Sequence, residues 1–368
     1  MDNYRFLLSG GGTGGHIYPA VAIADELRRR HPGAQFLFVG ASDRMEMEKV
    51  PQAGYEIKGL WISGLERKIT LKNLLFPVKL LASLMKANAI ISDFKPHLVI
   101  GTGGFASGPT LRMASSRGIP CVLQEQNSFA GITNKWLAAK AARIFVAYPG
   151  MERFFPKAKI RFTGNPVRAE LSESLPDKQK AKGALNQHQD QKTLVVLGGS
   201  LGARRINQLI EAELGFLQEL GFQILWQCGK GYYQTYKKYT APGVEVIPFI
   251  KDMRAALAAA DLIISRAGAG SVSELALVGA PVLFIPSPNV AEDHQRKNAE
   301  AIVEKKAAVM LLESELEESF EKTMEELVAN PEGMRTMGTA FKGLAKPGAT
   351  AAIVDEIEVL LHKATSHE

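Results

Sequence analysis

The sequence reads Gly10-Gly11-Gly12-Thr13-Gly14-Gly15-His16 directly after an apolar run, Tyr4–Leu8. Apolar residues recur at helical spacing between Pro19 and Arg30, so the pattern predicts a strand, a loop and a helix. Five glycines among residues 10–15 leave backbone N–H groups without side-chain cover. A helix N-terminus behind such a loop favours negative charge, and the stretch therefore predicts an anion-binding loop.

The same loop fits the spacing Gly-x-Gly-x-x-Gly at Gly10, Gly12 and Gly15. Dinucleotide sites with this spacing usually carry an acidic residue at the end of the second strand, where it binds a ribose. Here the second predicted strand, Gln35–Val39, runs into Gly-Ala-Ser before the first acid, Asp43. The sequence thus disfavours a nicotinamide or flavin cofactor.

Length and composition indicate a globular protein of two domains. The chain has 368 residues, of which 46% are hydrophobic and 22% charged, and a net charge of +6 that suits an anionic ligand or membrane face. Cys121 and Cys228 each lie in an apolar run, so we expect buried free thiols in a reducing compartment. We see no signal peptide and no apolar run of about 18 residues. These features predict a cytoplasmic protein.

The strand, glycine loop and helix pattern recurs along the chain. Glycine loops follow predicted strands at residues 101–104, 198–203 and 268–273. Further strands are predicted at Pro120–Gln124, Arg143–Ala147, Gln223–Gln227, Val244–Ile247, Leu262–Ser265 and Val282–Ile285, and a single helix is predicted over Arg204–Leu220. This alternation predicts an α/β fold with two doubly wound parallel sheets and a ligand crevice between the halves. Four glycine loops in two similar halves favour a phosphorylated substrate, although glycine also serves plain tight turns.

The stretch Glu66–Phe94 is predicted to be mostly helical, with Pro77 either kinking the helix or starting a new one. It has an apolar face, and Lys72, Lys79 and Lys86 follow one another at intervals of seven residues. Two interpretations stand. The helix packs on a sheet and its lysines are solvated, or it forms an amphipathic surface that meets anionic lipid.

Several catalytic patterns are absent from the sequence. No Gly-x-x-x-x-Gly-Lys-Ser/Thr loop, no Gly-x-Ser-x-Gly elbow and no His/Cys cluster with metal-ligand spacing occurs. Glu274, expected in the first turn of a helix, either complements the helix dipole or accepts the ribose hydroxyls of a nucleotide. His16 either packs near its helix start or acts as a general base. The residues alone leave both pairs open.

A set of motifs in one order resembles a known family. The chain carries Gly11–His16, Gly103–Pro109, Glu125-Gln126-Asn127, Gly164–Arg168, Gly198-Gly199-Ser200 and Ser273-Glu274 over nearly its whole length. This set is similar to that of the bacterial cell-wall glycosyltransferases that make lipid II from lipid I. The resemblance implies an inverting, metal-independent transfer of N-acetylglucosamine from UDP-N-acetylglucosamine to the C4 hydroxyl of undecaprenyl-linked lipid I, without a cofactor or nucleic acid.

The resemblance also implies an architecture and a location. We expect the GT-B fold, two Rossmann-like domains facing across a cleft: residues 1–165 on the acceptor and membrane side, and residues 166–346 binding the UDP-sugar. A C-terminal helix, residues 347–366, is expected to pack back on the first domain. The protein is expected at the cytoplasmic face of the cell membrane as a peripheral protein on an anionic surface.

Site residues follow from the resemblance position by position. His16 matches the residue proposed as general base or acceptor ligand. Gly103, Gly104 and the three lysines are expected on the acceptor and membrane side. The expected donor-binding residues are Thr13, Gly14, Gly15, Asn127, Arg168, Ser200, Ile250, Ala269, Gly270, Ser271, Val272, Ser273, Glu274 and Gln295. Two positions depart from the family: Phe105-Ala106 stands where Tyr-Val is common, so no tyrosine hydroxyl acts there, and His294 replaces a common glutamine.

Other functions remain compatible with these motifs. A related GT-B enzyme could transfer a UDP-sugar to another lipid acceptor, such as a glycolipid precursor. A UDP-N-acetylglucosamine epimerase shares the two-domain architecture but needs no lipid surface. A nucleotide-sugar binding module would need no catalytic base. His16, together with the lysine-bearing apolar stretch, favours the transferase over the epimerase and the binding module.

Overall fold

The computed structural model describes residues 3–64, 75–167, 171, 175–199 and 202–365. The chain divides into two compact units. Unit 1 comprises Met1–Val167 with Gly348–Glu368, and unit 2 comprises Arg168–Pro347. Each unit is built on its own parallel sheet. The predicted fold class, two doubly wound α/β sheets, is confirmed.

Within the described part of unit 1, seven strands form one parallel sheet in the order β3-β2-β1-β4-β5-β6-β7. The order reverses between β1 and β4, which pair from Phe6 with Leu98 to Gly10 with Gly103. Ligands of open α/β sheets bind beyond the carboxyl ends of the strands at such a reversal. The strands are β1 Arg5–Gly10, β2 Gln35–Ala41, β3 Glu56–Leu60, β4 Leu98–Gly103, β5 Cys121–Glu125, β6 Arg143–Val146 and β7 Ile160–Phe162.

Helices cover both faces of this sheet. The helices of unit 1 are α1 Gly14–Arg30, α2 Glu46–Gln52, α3 Phe76–Phe94, α4 Ser107–Ser116, α5 Ile132–Leu137 and the C-terminal α15 Ala349–Thr365. Successive side chains of β1 point to opposite faces, as in any strand. Phe6 and Leu8 pack among residues of α1 and α15, whereas Leu7 packs among residues of α3 and α4. The C-terminal helix therefore completes the core beneath β1.

The helix α3 begins at Phe76 with Pro77 in its first turn, so the proline starts this helix and does not kink it. Ser83, Ala87, Ile90 and Ile91 are buried along one side of α3. Val78, Leu81 and Met85 lie on the other side and are exposed. The predicted start of this stretch, residues 66–74, lies outside the described residues. No helix among the described residues has the length and hydropathy needed to cross a bilayer.

Unit 2 repeats the same plan with a six-stranded parallel sheet in its described residues, in the order β10-β9-β8-β11-β12-β13. The order reverses between β8 and β11. The strands are β8 Lys192–Leu197, β9 Phe222–Gln227, β10 Val244–Ile247, β11 Leu262–Ser265, β12 Val282–Phe284 and β13 Val309–Met310. The helices are α6 Lys178–Ala184, α7 Arg204–Ala212, α8 Leu214–Glu219, α9 Tyr233–Tyr236, α10 Met253–Ala259, α11 Ala269–Val278, α12 His294–Val303, α13 Leu316–Ala329 and α14 Pro331–Gly343.

Two sequence predictions about these elements are wrong. The single helix expected over Arg204–Leu220 is two helices, because Glu213 adopts φ −97° and ψ 8° between them. Leu217 of the second helix belongs to the same core as Ile206 and Ile210 of the first. The loop expected at residues 101–104 begins later, because Gly101–Gly103 still pair as part of β4. Glycine here continues a strand before it makes a turn.

Candidate active site

The first glycine loop and the end of β4 lie against each other at the strand reversal of unit 1. The N–H of Gly11 donates to the carbonyl of Gly103 at 3.2 Å. A Cβ on Gly104 would lie 2.4 Å from the Gly11 oxygen, and Gly104 has a φ of +90°, so both the contact and the conformation require glycine. The hydroxyl of Ser107 donates to the Ser9 carbonyl at 2.7 Å. The two glycine-rich segments thus form one rigid backbone surface.

The helix α1 starts on this surface. Thr13 precedes it in an extended conformation, and Gly14 and Gly15 are its first residues. The three arginines of the last turn complement the helix dipole, and the first turn holds no acidic residue that would repel an anion. The predicted residues Thr13, Gly14 and Gly15 are therefore placed where backbone N–H groups favour a phosphate.

His16 lies in the first turn of α1, and its Nδ1 is 2.9 Å from the carbonyl oxygen of Gly11. A carbonyl only accepts, so Nδ1 carries the proton and the neutral ring keeps the Nε2 lone pair. Burial lowers the pKa of His16, against the opposing effects of the Gly11 carbonyl and the Glu46 carboxylate. The ring is therefore neutral near pH 7, the form that a general base requires.

Asn127 follows β5, next to β4 in the sheet, in a loop arranged around the buried carboxylate of Glu125. One oxygen of Glu125 accepts the Asn127 N–H at 3.1 Å and the Asn127 side-chain amide at 3.3 Å. The other oxygen accepts Gly131 N–H at 3.0 Å and the Asn134 amide at 2.9 Å. Burial raises the pKa of Glu125, although these four donors work in the opposite direction. The carboxylate fixes the position of the Asn127 side chain.

In unit 2 the glycine loops again follow the two strands at the reversal. After β8, the N–H of Gly198 donates to the Gln227 carbonyl at 3.1 Å. A Cβ on Gly202 would lie 2.4 Å from the Cys228 carbonyl oxygen, and Gly202 has a φ of +85°, so this turn needs glycine. The predicted donor ligand Ser200 lies between these glycines but outside the described residues.

After β11, Gly268 in an extended conformation precedes α11, which begins at Ala269. The predicted segment Ala269–Ser273 thus forms the first turn and the start of the second. Glu274 is the sixth residue of α11, so its expected place in the first turn is wrong. The dipole explanation of Glu274 loses its basis, because that effect fades within the first turn.

Two other predicted donor residues occupy different positions in unit 2. Ile250 follows β10 and is 2% exposed. Gln295 is near the start of α12, where its Oε1 accepts the Ser287 N–H at 2.9 Å. Glu292 and Asp293 precede this helix with φ of 55° and 53°, a left-handed conformation that costs free energy in residues other than glycine. In the described part of the chain, no three His, Cys, Asp or Glu residues are grouped so as to hold a metal ion.

Comparison with known families assigns both units. Residues 6–146 match the N-terminal domain of glycosyltransferase family 28, and residues 193–353 match its C-terminal domain. The chain belongs to glycosyltransferase family 28. Each of the two family 28 matches includes a strand reversal with its pair of glycine loops.

The chain is also similar to full-length relatives of one named activity. The chain is 55% identical to the UDP-N-acetylglucosamine--N-acetylmuramyl-(pentapeptide) pyrophosphoryl-undecaprenol N-acetylglucosamine transferase of Flavobacterium psychrophilum, with all of both chains covered. It is 56% identical to the Christiangramia forsetii protein of the same name, over 98% of this chain and 99% of the relative. The crystal structure of MurG from Acinetobacter baumannii aligns with a TM-score of 0.79 and 28% identity, over 97% of this chain and 99% of that one.

The structure brings together some, but not all, of the residues predicted for a family 28 site. At the reversal of unit 1 it gathers Thr13, Gly14, Gly15, His16, Gly103 and Gly104. In unit 2 the segment 269–274 forms the start of α11. Lys79 and Lys86 lie on α3, where Lys79 donates to the Ser63 hydroxyl at 3.0 Å. Arg168, Ser200 and Lys72 lie outside the described residues.

Sequence reasoning missed the roles of two buried carboxylates in this family 28 chain. Glu46 on α2 is 1% exposed, and its oxygens accept the N–H groups of Gly12 at 2.9 Å and Ala41 at 3.0 Å. Glu125 was noted only as part of a motif, whereas the structure shows that it organises the Asn127 loop. Neither role has a local sequence signal, because each depends on backbone groups that the fold brings close.

Proposed function

We propose that this chain transfers N-acetylglucosamine from UDP-N-acetylglucosamine to the C4 hydroxyl of the muramoyl sugar of lipid I, and so forms lipid II. Its full-length relatives carry this activity in their names. The observation that carries the chemistry is the hydrogen bond from His16 Nδ1 to Gly11, because it leaves Nε2 as a proton acceptor. A nucleotide-sugar binding module would not need a histidine held in this way.

Unit 2 supplies the donor site in this proposal. The start of α11, Ala269–Ser273, lies beneath the diphosphate, where the helix N-terminus favours the negative charge. Glu274 accepts the ribose hydroxyls, and the backbone of Ile250 pairs with the uracil. Gln295 and Asn127 contact the transferred sugar, with Arg168 and Ser200 on the nucleotide and diphosphate.

The reaction is a single displacement with inversion. Nε2 of His16 takes the proton of the acceptor C4 hydroxyl while that oxygen forms a bond to the anomeric carbon. The bond between the anomeric carbon and the diphosphate oxygen breaks, and its electron pair leaves with UDP. The helix N-terminus under the diphosphate stabilises the charge that develops there. The start of α1, with Thr13, Gly14 and Gly15, lines the donor and acceptor-phosphate side of the site.

We further propose that unit 1 docks on an anionic membrane through an apolar surface, defined here as Trp61, Leu75, Val78, Leu81 and Met85. These side chains are between 48% and 67% exposed. The carbonyl of Trp61 accepts the Ser83 hydroxyl of α3 at 3.1 Å, which ties the tryptophan to that helix. Lys79 Nζ lies 5.6 Å from the centroid of the Trp61 ring. Exposed apolar side chains with lysines beside them are typical of surfaces that enter a lipid headgroup region.

A transfer assay tests the enzymatic proposal. Purified protein is incubated with radiolabelled UDP-N-acetylglucosamine and a short-chain lipid I analogue, with EDTA present. The label is expected to enter the lipid, and the anomeric carbon of the new glycosidic bond is expected to have inverted configuration. His16→Ala is expected to lower kcat roughly 10²–10⁴-fold. The matched control is His188→Ala, an exposed histidine in unit 2. UDP release without label in the lipid would point to hydrolysis or an epimerase-like reaction and would overturn the proposal.

A further inference from the structure

A chain of hydrogen bonds connects Glu46 to His16 through a single peptide group. The carboxylate of Glu46 accepts the Gly12 N–H at 2.9 Å. The carbonyl of Gly11, at the other end of the same Gly11–Gly12 peptide, lies 2.9 Å from Nδ1 of His16. The imidazole Nδ1–H therefore donates to the peptide carbonyl, and the N–H of the same peptide donates to the carboxylate. The arrangement is similar to the carboxylate–histidine pair of catalytic triads, with one peptide group inserted between carboxylate and ring.

The position of Glu46 is closely defined. Its side chain is 1% exposed, and its second oxygen accepts the Ala41 N–H at 3.0 Å at the end of β2. A Cβ on Gly11 would lie 2.1 Å from a Glu46 oxygen, so the carboxylate sits directly beneath the loop and requires glycine there. Two backbone donors on two sides need two acceptor oxygens, which a carboxylate has and an amide has not.

The loop itself has few other constraints at this point. Gly12 has a φ of +85° and nothing within 4 Å of where a Cβ would be. The hydrogen bond that the Gly12 N–H donates to Glu46 therefore helps to set the orientation of the Gly11–Gly12 peptide. If the Gly11–Gly12 peptide turned, its carbonyl would leave Nδ1, and the imidazole would lose the partner that sets its tautomer.

We propose that Glu46 is a positioning residue for His16, which it holds in the Nδ1–H tautomer through the Gly11–Gly12 peptide. The inference rests on the proposed function of His16 as the base. Outer partners of histidine rings act in this way in metal sites, where they fix the tautomer and raise basicity. Hydrogen bonds in series polarise one another, so the charge of Glu46 strengthens the bond that the His16 Nδ1–H donates to the Gly11 carbonyl.

The electrostatic effects on the pKa of His16 agree with this series of hydrogen bonds. Burial lowers the pKa of His16, and the Gly11 carbonyl and the Glu46 charge raise it. Among the residues that the structure describes, four groups surround the ring. They are the Gly11 carbonyl, the Glu46 carboxylate, the Thr13 hydroxyl at 3.5 Å and the backbone of Gly103. Removal of the Glu46 charge therefore lowers the basicity of Nε2.

The test is Glu46→Gln, with Glu48→Gln, an exposed carboxylate on the same helix, as the matched control. Glu46→Gln is expected to lower kcat roughly tenfold. The acid limb of kcat/KM is expected to move to lower pH, because a less basic ring protonates at lower pH. Nitrogen-15 NMR of labelled histidine, assigned by the resonances lost in His16→Ala, is expected to show both neutral tautomers of His16 instead of one. Glu48→Gln is expected to change none of these.

The outcomes separate this inference from the proposed function. A fall in activity with an unmoved acid limb and one His16 tautomer would overturn the inference and leave His16 as the base. If His16→Ala kept full activity, the base role would fail, while the NMR spectrum of Glu46→Gln would still decide whether Glu46 sets the tautomer. Should Glu46→Gln not fold, Glu46→Asp replaces it: the shorter carboxylate cannot hold both N–H groups, and a single His16 tautomer in this variant, together with rapid hydrogen exchange of the Gly12 N–H, would refute the proposal.

Discussion

The guanidinium of Arg30 lies 2.6 Å from the carboxylate of Asp355, although 325 positions separate them in the sequence. Arg30 is the last residue of α1, and the same guanidinium is 2.9 Å from Glu358. Glu356 of the same C-terminal helix pairs with Arg143 at 3.1 Å. Because α1 begins at the glycine loop and His16 lies in its first turn, α15 braces the helix that carries the proposed base.

Replacement of Arg30 by Met is therefore expected to loosen α15. The Arg30 side chain is 19% exposed, so its ion pairs are less screened than surface pairs. We expect hydrogen exchange in residues 349–365 to accelerate roughly tenfold, equivalent to about 1.4 kcal/mol. Arg29→Met is the control, because Arg29 is 69% exposed and pairs with Glu26 within its own helix. Equal effects of the two variants would show that the contacts with α15 contribute nothing.

Activity should depend on pH through His16. Its pKa lies below the ordinary value of 6.5 because the surrounding protein partly desolvates the ring. The neutral ring is the active form, so kcat/KM should stay high as pH falls to 6.5 and decline only below it. The residual activity of His16→Asn should lack this acid limb. An acid limb that stays in His16→Asn would assign the titration to another group.

The same shift has a consequence for stability. In the unfolded chain His16 binds a proton more strongly than in the folded protein, so the folded state loses free energy of unfolding as pH falls through the unfolded pKa of 6.5. His16→Asn should flatten this part of the stability curve, as urea unfolding at a series of pH values would show. His188→Asn, at an exposed position, is the control for the loss of a histidine.

The sequence predicts best those strands whose own residues, together with the turn residues at both ends, define the bounds of the strand. Val244–Ile247 and Leu262–Ser265 have the predicted bounds, because each is a short apolar run between turn residues. β13, with two residues, and β7, with three, are too short to give a period. The end of β4 was misplaced because Gly101 and Gly103 look like a loop, while their pairing with β1 and β5 keeps them in the sheet.

The residues of the candidate site also differ in whether the sequence could predict them. The glycines could be predicted because backbone N–H groups bind the anion and a glycine-rich loop is visible in the sequence. His16 could be predicted because it follows these glycines directly. Glu46 could not, because its partners, Gly12 and Ala41, belong to other elements and offer only backbone N–H groups. The place of Glu274 was wrong because the sequence does not show that α11 begins as early as Ala269.

Glu125→Gln is expected to destabilise unit 1 and weaken use of the donor. Four N–H groups point at the two oxygens of Glu125, and an amide can accept only some of them. A buried donor without an acceptor costs about 1–3 kcal/mol. We expect a lower free energy of unfolding in urea and a higher KM for UDP-N-acetylglucosamine. The exposed Glu152→Gln is the control, and an unchanged KM would argue against the proposed role of the Asn127 loop.

The two cysteines should be unreactive in the folded protein. Both are buried and free, as predicted. Burial raises the pKa of Cys121 to about 12 and also raises that of Cys228, so little thiolate exists near pH 8. Iodoacetamide should label neither residue on the time scale on which it labels both in urea. Fast labelling of the native protein, located by mass spectrometry, would contradict the burial of that cysteine.

Vesicle binding should separate the apolar and the charged parts of the proposed membrane surface. Leu81 is 61% exposed, so Leu81→Gln should weaken binding to both neutral and anionic vesicles without lowering the melting temperature. Val359→Gln on α15, at an exposed apolar position, is the control for the loss of an apolar side chain.

The lysines should matter only on anionic lipid. A lysine near such a surface contributes about 1 kcal/mol, so each replacement of Lys72, Lys79 or Lys86 by Glu should weaken binding at least roughly fivefold at low salt. The difference should shrink at high salt, because the ions screen the charges. Lys322→Glu, 78% exposed on α13 of unit 2, is the control. If cosedimentation gave the same affinity for the lysine variants and the unmodified protein on anionic vesicles, binding would rest on the apolar side chains and the electrostatic part of the proposal would fail.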